Sequence, residues 1–333
     1  MNPSRRRFAL AAALAGTALP LVGASVTSHA QDASAYPDKP VRVMVPYTPG
    51  GSPDVLARLL MQQIGTRTGK VMVVENRPGA NGAIALQAAA ASPSDGYTVV
   101  VADTGHLAIN PALYKKLPYD PVRDFTPVTL AARTPFFVIV NSQLPVQTFA
   151  QLLEYIRRNP GKLSYGSSGN GSPQHLATAL LAQMAGLQIV HIPYKGVAES
   201  VPALVGGQID LLVVALPSVA SSIQAGKLRV LAVSTSERSN LMPEIPTVAE
   251  SGLPGYETGS RIGFLMPAGA PADRVAWMAR QIDAAVTDAD VSRRMISMSM
   301  EPLRTTPAEY AAIIRDDLPK YRSSVERTGI QVD

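Results

Sequence analysis

Two glycine-rich segments carry the residue types best suited to hold an anion. Pro49–Pro53 and Gly166–Pro173 both contain Gly-Ser-Pro, and their Ser-Pro pairs lie 120 residues apart. The pattern predicts Ser52 and Ser172 as helix N-caps, each followed by proline at the first helical position. Glycine lets the backbone turn N–H groups toward a ligand, and a helix start adds the positive end of its dipole. Each loop alone is compatible with an ordinary turn; their pairing favours a carboxylate held between two helix starts.

Several other chemistries lack the residues they need. The sequence contains no cysteine, which excludes thiol catalysis, disulfides and cysteine-ligated metals. It has no GxxxxGK[ST] phosphate loop, and Gly169-x-Gly171 lacks the third glycine of a dinucleotide site. HExxH and GxSxG motifs are also missing. We therefore expect no cofactor, no metal and no catalytic residue.

Three histidines lie beyond the first 30 residues. For His175 and His106 a role at the site and a structural role are both open, whereas only a structural role is predicted for His191. His175, on the first turn after the second loop, either faces the site or packs and caps. His106 either reaches the mouth of the pocket or only serves its own loop. His191 lies within an apolar strand and is predicted to be a core residue.

Short apolar strands alternate with helices along the chain. The strands lack strict polar alternation, which indicates parallel sheets covered on both faces. We predict an α/β fold with doubly wound sheets and a helical tail from Pro271 onward. The predicted strands are Val41–Tyr47, Val71–Glu75, Tyr97–Ala102, Phe136–Val140, Leu163–Gly166, Ile189–Ile192, Leu211–Val214 and Leu228–Ser234.

Two extended segments are predicted to cross between lobes. The chain exceeds the size of a usual single domain, so two lobes are expected. Thr134–Val138 begins an apolar strand near the middle of the chain, and Thr258–Met266 is a second extended segment. If both are hinges, the chain builds one lobe, crosses, builds the second and returns. We predict lobe 1 at residues 36–136 and 262–333, and lobe 2 at residues 137–261.

Residues 1–30 have the pattern of a removable export signal. Arg5–Arg7 precede an apolar run, Ala9–Val26, and a small-x-small cleavage site that ends at Ala30. The paired arginines resemble a twin-arginine signal. Cleavage after Ala35 is an alternative, whereas a membrane anchor is disfavoured because the run is short and broken by glycine and proline. Cleavage after Ala30 lowers the formal net charge from +5 to +2, so we expect no nucleic acid partner.

Motifs along the whole chain from Tyr36 to Ile330 resemble one family. They are Pro46–Gly51 with Asp54 and Arg58, Asn76–Gly82, Ile109–Tyr114, Leu117–Pro121, Gly161–Leu176, His191–Gly196, Leu204–Asp210 and Ile245–Glu250. In this order they resemble the Bug, or tripartite tricarboxylate transporter (TctC-like), substrate-binding proteins.

The resemblance implies a two-lobed, periplasmic-binding-protein-like clamshell that closes on a small organic carboxylate and catalyses no reaction. It implies a periplasmic location and delivery of the ligand to a membrane transporter with one large and one small subunit. Some relatives instead present ligand to a sensor; we expect this chain to act as a monomer. The implied ligand contacts are Tyr47, Thr48, Gly50, Gly51, Ser167, Ser168, Asn170 and Gly171.

Two stretches depart from the family pattern. Relatives carry an aromatic residue and an Asp before Ser or Asn where this chain has Val213, Val214 and Ala215, and Arg261 replaces a common Trp. If both stretches line the cleft, the pocket loses a negative charge and gains a cation. We therefore expect an acid without an amine, either a di- or tricarboxylate or an acid with an apolar or aromatic body. Arg261 would bind its distal carboxylate in bidentate fashion; the alternative is a hinge ion pair.

An exported enzyme is the alternative from a different functional class, since twin-arginine cargo often folds around a cofactor. The absence of cofactor motifs and cysteines, together with the few histidines, disfavours it.

Overall fold

Two mixed β-sheets, each covered by helices, position the glycine-rich loops. The computed structural model describes residues 36–330, so the predicted export signal and its cleavage sites lie outside the described residues. Within those residues, no helix is long and apolar enough to cross a membrane.

The elements follow one another in alternation. From residue 41 to 158 they are β1 (Val41–Val45), α1 (Ser52–Thr68), β2 (Met72–Asn76), α2 (Ala83–Ala90), β3 (Thr98–Asp103), α3 (Asn110–Leu113), β4 (Phe125–Thr134), β5 (Phe137–Asn141) and α4 (Phe149–Arg158). From residue 164 to 328 they are β6 (Ser164–Ser167), α5 (Pro173–Ala185), β7 (Val190–Pro193), α6 (Val197–Val205), β8 (Leu211–Val214), α7 (Ala220–Gln224), β9 (Leu228–Val233), β10 (Ser260–Pro267), α8 (Ala272–Val286), α9 (Ala289–Ser297), β11 (Glu301–Pro302) and α10 (Pro307–Thr328).

The first sheet has the strand order β11-β4-β10-β3-β1-β2. Neighbouring residues of β1 face opposite layers. Val43 packs in a core with α1 and α8, whereas Met44 packs in a core with α2 and α10. Both side chains are fully buried. Burial on both faces explains why this strand shows a continuous apolar run in place of polar alternation.

The second sheet has the strand order β7-β6-β8-β5-β9 and is built in the same way. In β5, Val138 packs with α4 and α5, while the adjacent Ile139 packs with α6 on the other face. The predicted α/β fold, with sheets covered on both faces, is therefore confirmed.

The strand directions correct the expectation of wholly parallel sheets. The pairs β1–β2, β1–β3, β6–β7 and β6–β8 are parallel, but β10 is antiparallel to β3 and β4, and β5 is antiparallel to β8 and β9. Strands β5 and β10 each follow a passage between the sheets, and the chain therefore enters them from the opposite direction. Apolar runs report two-sided burial and carry no information on direction, so the sequence pattern missed this.

The chain passes between the sheets at two neighbouring places. It leaves the first sheet at Thr134, enters the second at Phe137, and returns to the first at Ser260. The buried Ser234 joins the two passages, because its Oγ accepts the Phe136 N–H at 3.2 Å and donates to the Thr258 carbonyl at 2.8 Å. Strand β10 begins two residues before the predicted lobe boundary at residue 262. That the two parts move as separate lobes stays a prediction.

The close contact between Gly263 in β10 and Tyr310 in α10 generates a stability prediction. A Cβ at Gly263 would lie 2.5 Å from Tyr310 Oη and 2.6 Å from its Cζ. Strand β10 cannot shift freely because it pairs with β3 and β4. We expect Gly263→Ala to lower the free energy of unfolding by about 1–3 kcal/mol in urea denaturation.

The matched control adds Tyr310→Leu, which removes the clashing ring end. The Tyr310 hydroxyl is buried without a hydrogen-bond partner within residues 36–330, so its removal breaks no such bond there. The double variant should lose less stability than the sum of the two single variants. Strict additivity would contradict the contact.

Candidate ligand-binding cleft

A cleft of about 580 Å³ lies at the ends of β1, β2 and β3 in the first sheet and of β6 and β7 in the second. The strands within each of these groups are parallel, so their carboxyl ends meet at one edge, where α/β proteins usually bind ligands. The lining residues are Pro46, Tyr47, Thr48, Pro78, Gly79, Asn81, Gly82, Gly105, His106, Ile109, Asn110, Ser168, Gly171, Ser172, Pro173 and Lys195.

Asp54 braces the first glycine-rich loop from the first turn of α1. Its Oδ2 accepts the Gly50 N–H at 2.9 Å, and its Oδ1 accepts from Arg58 Nε at 3.0 Å and Asn76 Nδ2 at 2.8 Å. Burial alone would raise the pKa of Asp54, but these hydrogen bonds outweigh burial and hold the pKa below its usual value. The carboxylate therefore stays charged and keeps the loop in one shape.

The predicted N-cap of α1 is wrong by one residue. Gly51, in extended conformation, is the N-cap, and it has no side chain that could cap the helix. Ser52 is already the first helical residue. Of the four contacts expected in this loop, Tyr47 and Thr48 line the cleft, whereas Gly50 and Gly51 are exposed beside it.

The second loop has the predicted cap. Ser172 accepts the His175 N–H at 3.2 Å, and Pro173 is the first helical residue of α5. Gly169 and Gly171 have φ of 119° and 73°, values that glycine adopts far more readily than other residues. These positive φ angles shape the loop at the start of the helix.

The residues expected to bind ligand in this loop divide into two groups. Ser168 and Gly171 line the cleft. The Ser167 hydroxyl is buried and used inside the loop, where it donates to the Gly169 carbonyl at 3.0 Å and lies 2.7 Å from His191 Nε2. Asn170 is exposed and is not among the lining residues.

Each loop has one lining residue whose backbone N–H has no partner among the described residues. The N–H groups of Thr48 and Ser168 have no protein acceptor in the described part of the chain, and both residues line the cleft. Among the described lining residues none is acidic, and Lys195 alone carries a fixed positive charge. The cleft therefore offers hydrogen-bond donors to an anion without a competing carboxylate on its wall.

The His175 ring supports the backbone of the second loop. Its Nδ1 accepts the Gly171 N–H at 3.1 Å, and its ring stacks on His191 with centroids 3.8 Å apart. Burial and the neighbouring His191 lower the pKa of His175 to about 4, and burial lowers the pKa of His191. The packing interpretation of His175 therefore fits the structure. His191 is half-buried and packs against the rings of Tyr165 and His175, so it is not fully in the core.

Val214 and Ala215 lie outside the cleft. Val214 is buried in the core of the second sheet, opposite Phe137 of β5. Ala215 packs against the other core of that sheet. Neither residue is among those that line the cleft, and Val213 is fully buried as well. The expectation that these residues contact the body of the ligand has no counterpart in this arrangement.

Arg261 is also not among the residues that line the cleft, and its side chain pairs with an acidic residue of α10. Its Nη2 donates to both carboxylate oxygens of Asp317 in α10, at 2.6 and 2.5 Å. Burial would lower the pKa of Arg261, but the Asp317 charge outweighs it; burial raises the pKa of Asp317 despite the arginine. The ion-pair alternative describes Arg261 in this structure, because its guanidinium is bound by a carboxylate of its own chain.

The cleft is also lined by residues that the sequence did not single out as ligand contacts, and by His106, for which it left open a place at the mouth of the pocket. His106 and Asn110 come from the turn after β3, and Asn81 and Gly82 come from the turn after β2. Asn81 has φ of 48° and Gly82 has φ of 83°, which marks a tight turn. An Asn-Gly pair just after a predicted strand was the available signal. Asn81, Gly82, Asn110 and Lys195 all lie within motifs that the family resemblance used.

Comparisons with known proteins agree on one family. Residues 56–330 match the model described as "Tripartite tricarboxylate transporter family receptor". A solved structure of a periplasmic transporter is 41% identical, covers 90% of this chain and all of its own, and has a TM-score of 0.78. Rpa4515 of R. palustris, solved with adipate, is 34% identical over 89% of this chain and 99% of its own, with a TM-score of 0.79. MatC of Rhodopseudomonas palustris, with bound malate, is 28% identical over 87% of this chain and 100% of its own, with a TM-score of 0.74.

The Arg261–Asp317 pair predicts a variant that changes stability and leaves ligand affinity unchanged. Arg261→Met leaves a largely buried carboxylate unpaired, so we expect a loss of about 1–3 kcal/mol in the free energy of unfolding. Adding Asp317→Asn removes that charge and should recover part of the loss. Affinity for a carboxylate ligand, measured by calorimetry, should stay within about twofold. A tenfold loss of affinity would restore Arg261 to the ligand site.

The His175 ring predicts a pH-dependent stability. The native ring resists protonation until about pH 4, whereas an unfolded histidine is protonated below about 6.5. As pH falls from 6.5 to 4, the unfolded state takes up a proton that the native state refuses, so the free energy of unfolding decreases. Above pH 6.5 the ring is neutral in both states, so His175 no longer lowers the free energy of unfolding.

His175→Asn is the matched control, because its Oδ1 can accept the Gly171 N–H but does not titrate. Urea denaturation of both proteins between pH 7.5 and 4 separates the titration of His175 from the titration of the carboxylates, which both proteins share. Wild-type stability should fall more steeply than that of the variant. Parallel curves would show that His175 does not titrate as described.

Proposed function

Because the chain belongs to the tripartite tricarboxylate transporter receptor family, we propose that it is a periplasmic solute-binding protein that captures a small organic carboxylate in this cleft. Proteins of this family bind solutes and are not enzymes. The periplasmic location is supported by the sequence pattern of residues 1–30 and by the similar periplasmic transporter.

The observation that carries the proposal is the meeting of two loops from different sheets at one cleft. The backbone N–H groups of Thr48 and Ser168, which line the cleft, have no protein acceptor in the described part of the chain, and the start of α5 at Pro173 adds the positive end of a helix dipole. Hydrogen bonds to a charged carboxylate are about twice as strong as those between neutral groups. A micromolar affinity needs about 8 kcal/mol, which a few such bonds and the burial of the ligand supply.

The ligand class follows from what lines the cleft. With no acidic side chain among the described lining residues, a ligand ammonium would lack a partner, so we propose an acid without an amine. Pro46, Pro78 and Ile109 offer apolar surface to its body. The adipate of Rpa4515 and the malate of MatC support a dicarboxylate.

We further propose that the two lobes predicted from sequence close over the ligand, and that the closed monomer is read by a two-subunit membrane transporter. The two neighbouring passages joined by Ser234 suit a hinge, because few residues there need to change conformation.

A ligand screen tests the function directly. The purified protein, before and after unfolding and refolding, is heated with mono-, di- and tricarboxylates, aromatic acids and amino acids. A ligand at a hundredfold excess over Kd should add about 2.7 kcal/mol of apparent stability. We expect a shift with di- or tricarboxylates or with aromatic acids. A shift with amino acids alone, or none after refolding, would overturn the proposal.

Gly171→Ala tests the second loop. Alanine is strained at the φ of 73° found here, so the loop should shift and the affinity should fall at least about tenfold in calorimetry. Gly186→Ala is the matched control, since Gly186 has φ of 63° at the other end of the same helix and nothing within 4 Å of an added Cβ. It should carry a similar strain and keep wild-type affinity. Equal losses of affinity would assign the effect to stability alone.

A further inference from the structure

A buried polar network lies in the first-sheet wall of the cleft, which Tyr47 and His106 both line. The Tyr47 hydroxyl donates to Asp103 Oδ2 at 2.5 Å, and the His106 backbone N–H donates to Oδ1 at 3.3 Å. The His106 ring meets the same carboxylate, with Nδ1 2.8 Å from Oδ1. Asp103 and His106 are only 5% and 2% exposed, so solvent has little access to either side chain.

Asp103 is ionised in this network. Burial would raise the pKa of its carboxyl, but His106 and Tyr47, which contact it from two sides, hold the pKa below its usual value. Burial and the Asp103 charge raise the pKa of Tyr47, which therefore keeps its proton and remains a donor. An ionised carboxylate can only accept, so each polar group that contacts Asp103 has to bring a hydrogen.

The contact with Asp103 sets which nitrogen of the His106 ring carries hydrogen. At 2.8 Å from an ionised carboxylate oxygen, Nδ1 has to donate, because two lone pairs at that distance repel each other. The Asp103 backbone N–H also lies 3.2 Å from Nδ1, but this contact is longer and comes from a neutral group, so the carboxylate decides. In the neutral ring, Nε2 then keeps its lone pair and is a hydrogen-bond acceptor.

Nε2 lies at the cleft without a partner. A Cβ at Gly82, which also lines the cleft, would lie only 2.1 Å from Nε2, so the absent side chain of Gly82 leaves room for this atom. Within residues 36–330, Nε2 has no hydrogen-bond partner, yet the unpartnered side-chain atoms sealed from solvent there are Thr134 Oγ1 and Tyr310 Oη. Nε2 is therefore open to the cleft, where a ligand can supply the partner that the chain does not.

Further contacts keep the His106 ring from turning away. His106 lies in a π-helical turn, Gly105–Ile109, and such turns are frequent at functional sites. The Tyr119 hydroxyl donates to the His106 carbonyl at 2.6 Å, and the Tyr47 ring meets the imidazole edge-on at 5.1 Å. Nε2 is thus held in place before a ligand arrives, and a contact with it costs little ordering.

An acceptor at this point distinguishes between the groups of a ligand. A carboxylate oxygen would meet the lone pair of Nε2 and be repelled, so the carboxylates suit the loop N–H groups and not this atom. A hydroxyl hydrogen is the matching group. A ligand ammonium could donate as well, but it would bring a charge that no acidic side chain among the described lining residues neutralises.

Building on the proposed function, we propose that His106 Nε2 accepts a hydrogen bond from a hydroxyl group of the ligand, so that the cleft prefers a hydroxy acid to the same acid without the hydroxyl. Asp103 is the positioning residue that keeps the proton on Nδ1 and leaves Nε2 free to accept. The carboxylate is held by the loop N–H groups described above.

The first test compares ligands that differ by one hydroxyl group. Calorimetry at about pH 8, where an ordinary imidazole is neutral, measures four pairs: propionate and lactate, succinate and malate, glutarate and 2-hydroxyglutarate, and tricarballylate and citrate. Chiral acids are measured as separate enantiomers, and aspartate is the amine counterpart of malate. The proteins are wild type, His106→Leu, which removes the acceptor, and His106→Gln, whose amide oxygen can lie near the place of Nε2. Thermal melting of each protein reports whether it is folded.

In wild type we expect the best hydroxy acid to bind roughly tenfold more tightly than its unsubstituted partner, because an acceptor left without a hydrogen bond in the ligand-filled cleft costs affinity. In His106→Leu this ratio of affinities should fall close to one, and His106→Gln should recover part of it. The ratio cancels any general effect of a variant on binding, because both ligands of a pair experience that effect.

The second test measures the His106 ring and needs no ligand. Nitrogen NMR distinguishes the Nδ1–H and Nε2–H forms of a neutral histidine, and the spectrum of His106→Gln identifies the His106 signals by their loss. We expect the Nδ1–H form in wild type. In Asp103→Ala only the backbone N–H of residue 103 still contacts Nδ1, so the ring proton should move to Nε2 and the preference for the hydroxy acid should fall with it.

The outcomes separate this inference from the proposed function. If wild type binds the plain acids as tightly as their hydroxy partners, or His106→Leu keeps the wild-type ratio, the role of His106 is overturned while carboxylate binding stands. An Nε2–H ring in wild type, or a folded glutamine variant without any preference, overturns the acceptor role even if the leucine variant fails to fold. Tighter binding of aspartate than of malate overturns the hydroxyl assignment and the amine-free ligand together. If wild type binds no acid of any pair, the proposed function and this inference both fail.

Discussion

The candidate site depends on one constraint of parallel β-structure, which is that neighbouring strands end at the same edge. Because β1, β2 and β3 are parallel, the segments that follow them meet beside one another, and the same holds for β6 and β7. Burial of both strand faces locks the register, so these loops leave their sheets at defined points. Residues as distant in sequence as Thr48 and Ser168 consequently line one cleft.

Charges in this protein mostly serve the scaffold, and the cleft relies on oriented dipoles. Asp54 fixes the first loop through the Gly50 N–H, and Asp317 neutralises Arg261 at a distance from the cleft. His175 is held neutral so that it can accept the Gly171 N–H. Donors held in place before the ligand arrives lose little entropy on binding, which favours affinity. A cleft of this kind suits a carboxylate better than a ligand that brings its own ammonium group.

Any closure of the two parts over a ligand must act through the two passages between the sheets. Ser234 joins both passages with its single hydroxyl. Nearby, α10 extends toward the second sheet, where Tyr321 and Val325 pack in one buried cluster with Leu176 of α5 and with Ile109, which also lines the cleft. Because this apolar cluster is close-packed and shared by both sides, any closure would have to move it as a unit or separate it.

The sequence alone determined the fold class, the two glycine-rich loops and the Ser172 cap, because these depend on local patterns: apolar periodicity, glycine and proline positions, and a serine before Pro173. It also pointed to the family through ordered motifs. Only the tertiary structure decided strand direction, since apolar runs are the same in both directions. It alone turned Arg261 toward Asp317, sent Val214 into the core and placed His106 over Gly82, because each outcome depends on which distant side chain arrives beside the residue. Local sequence carries no record of such neighbours.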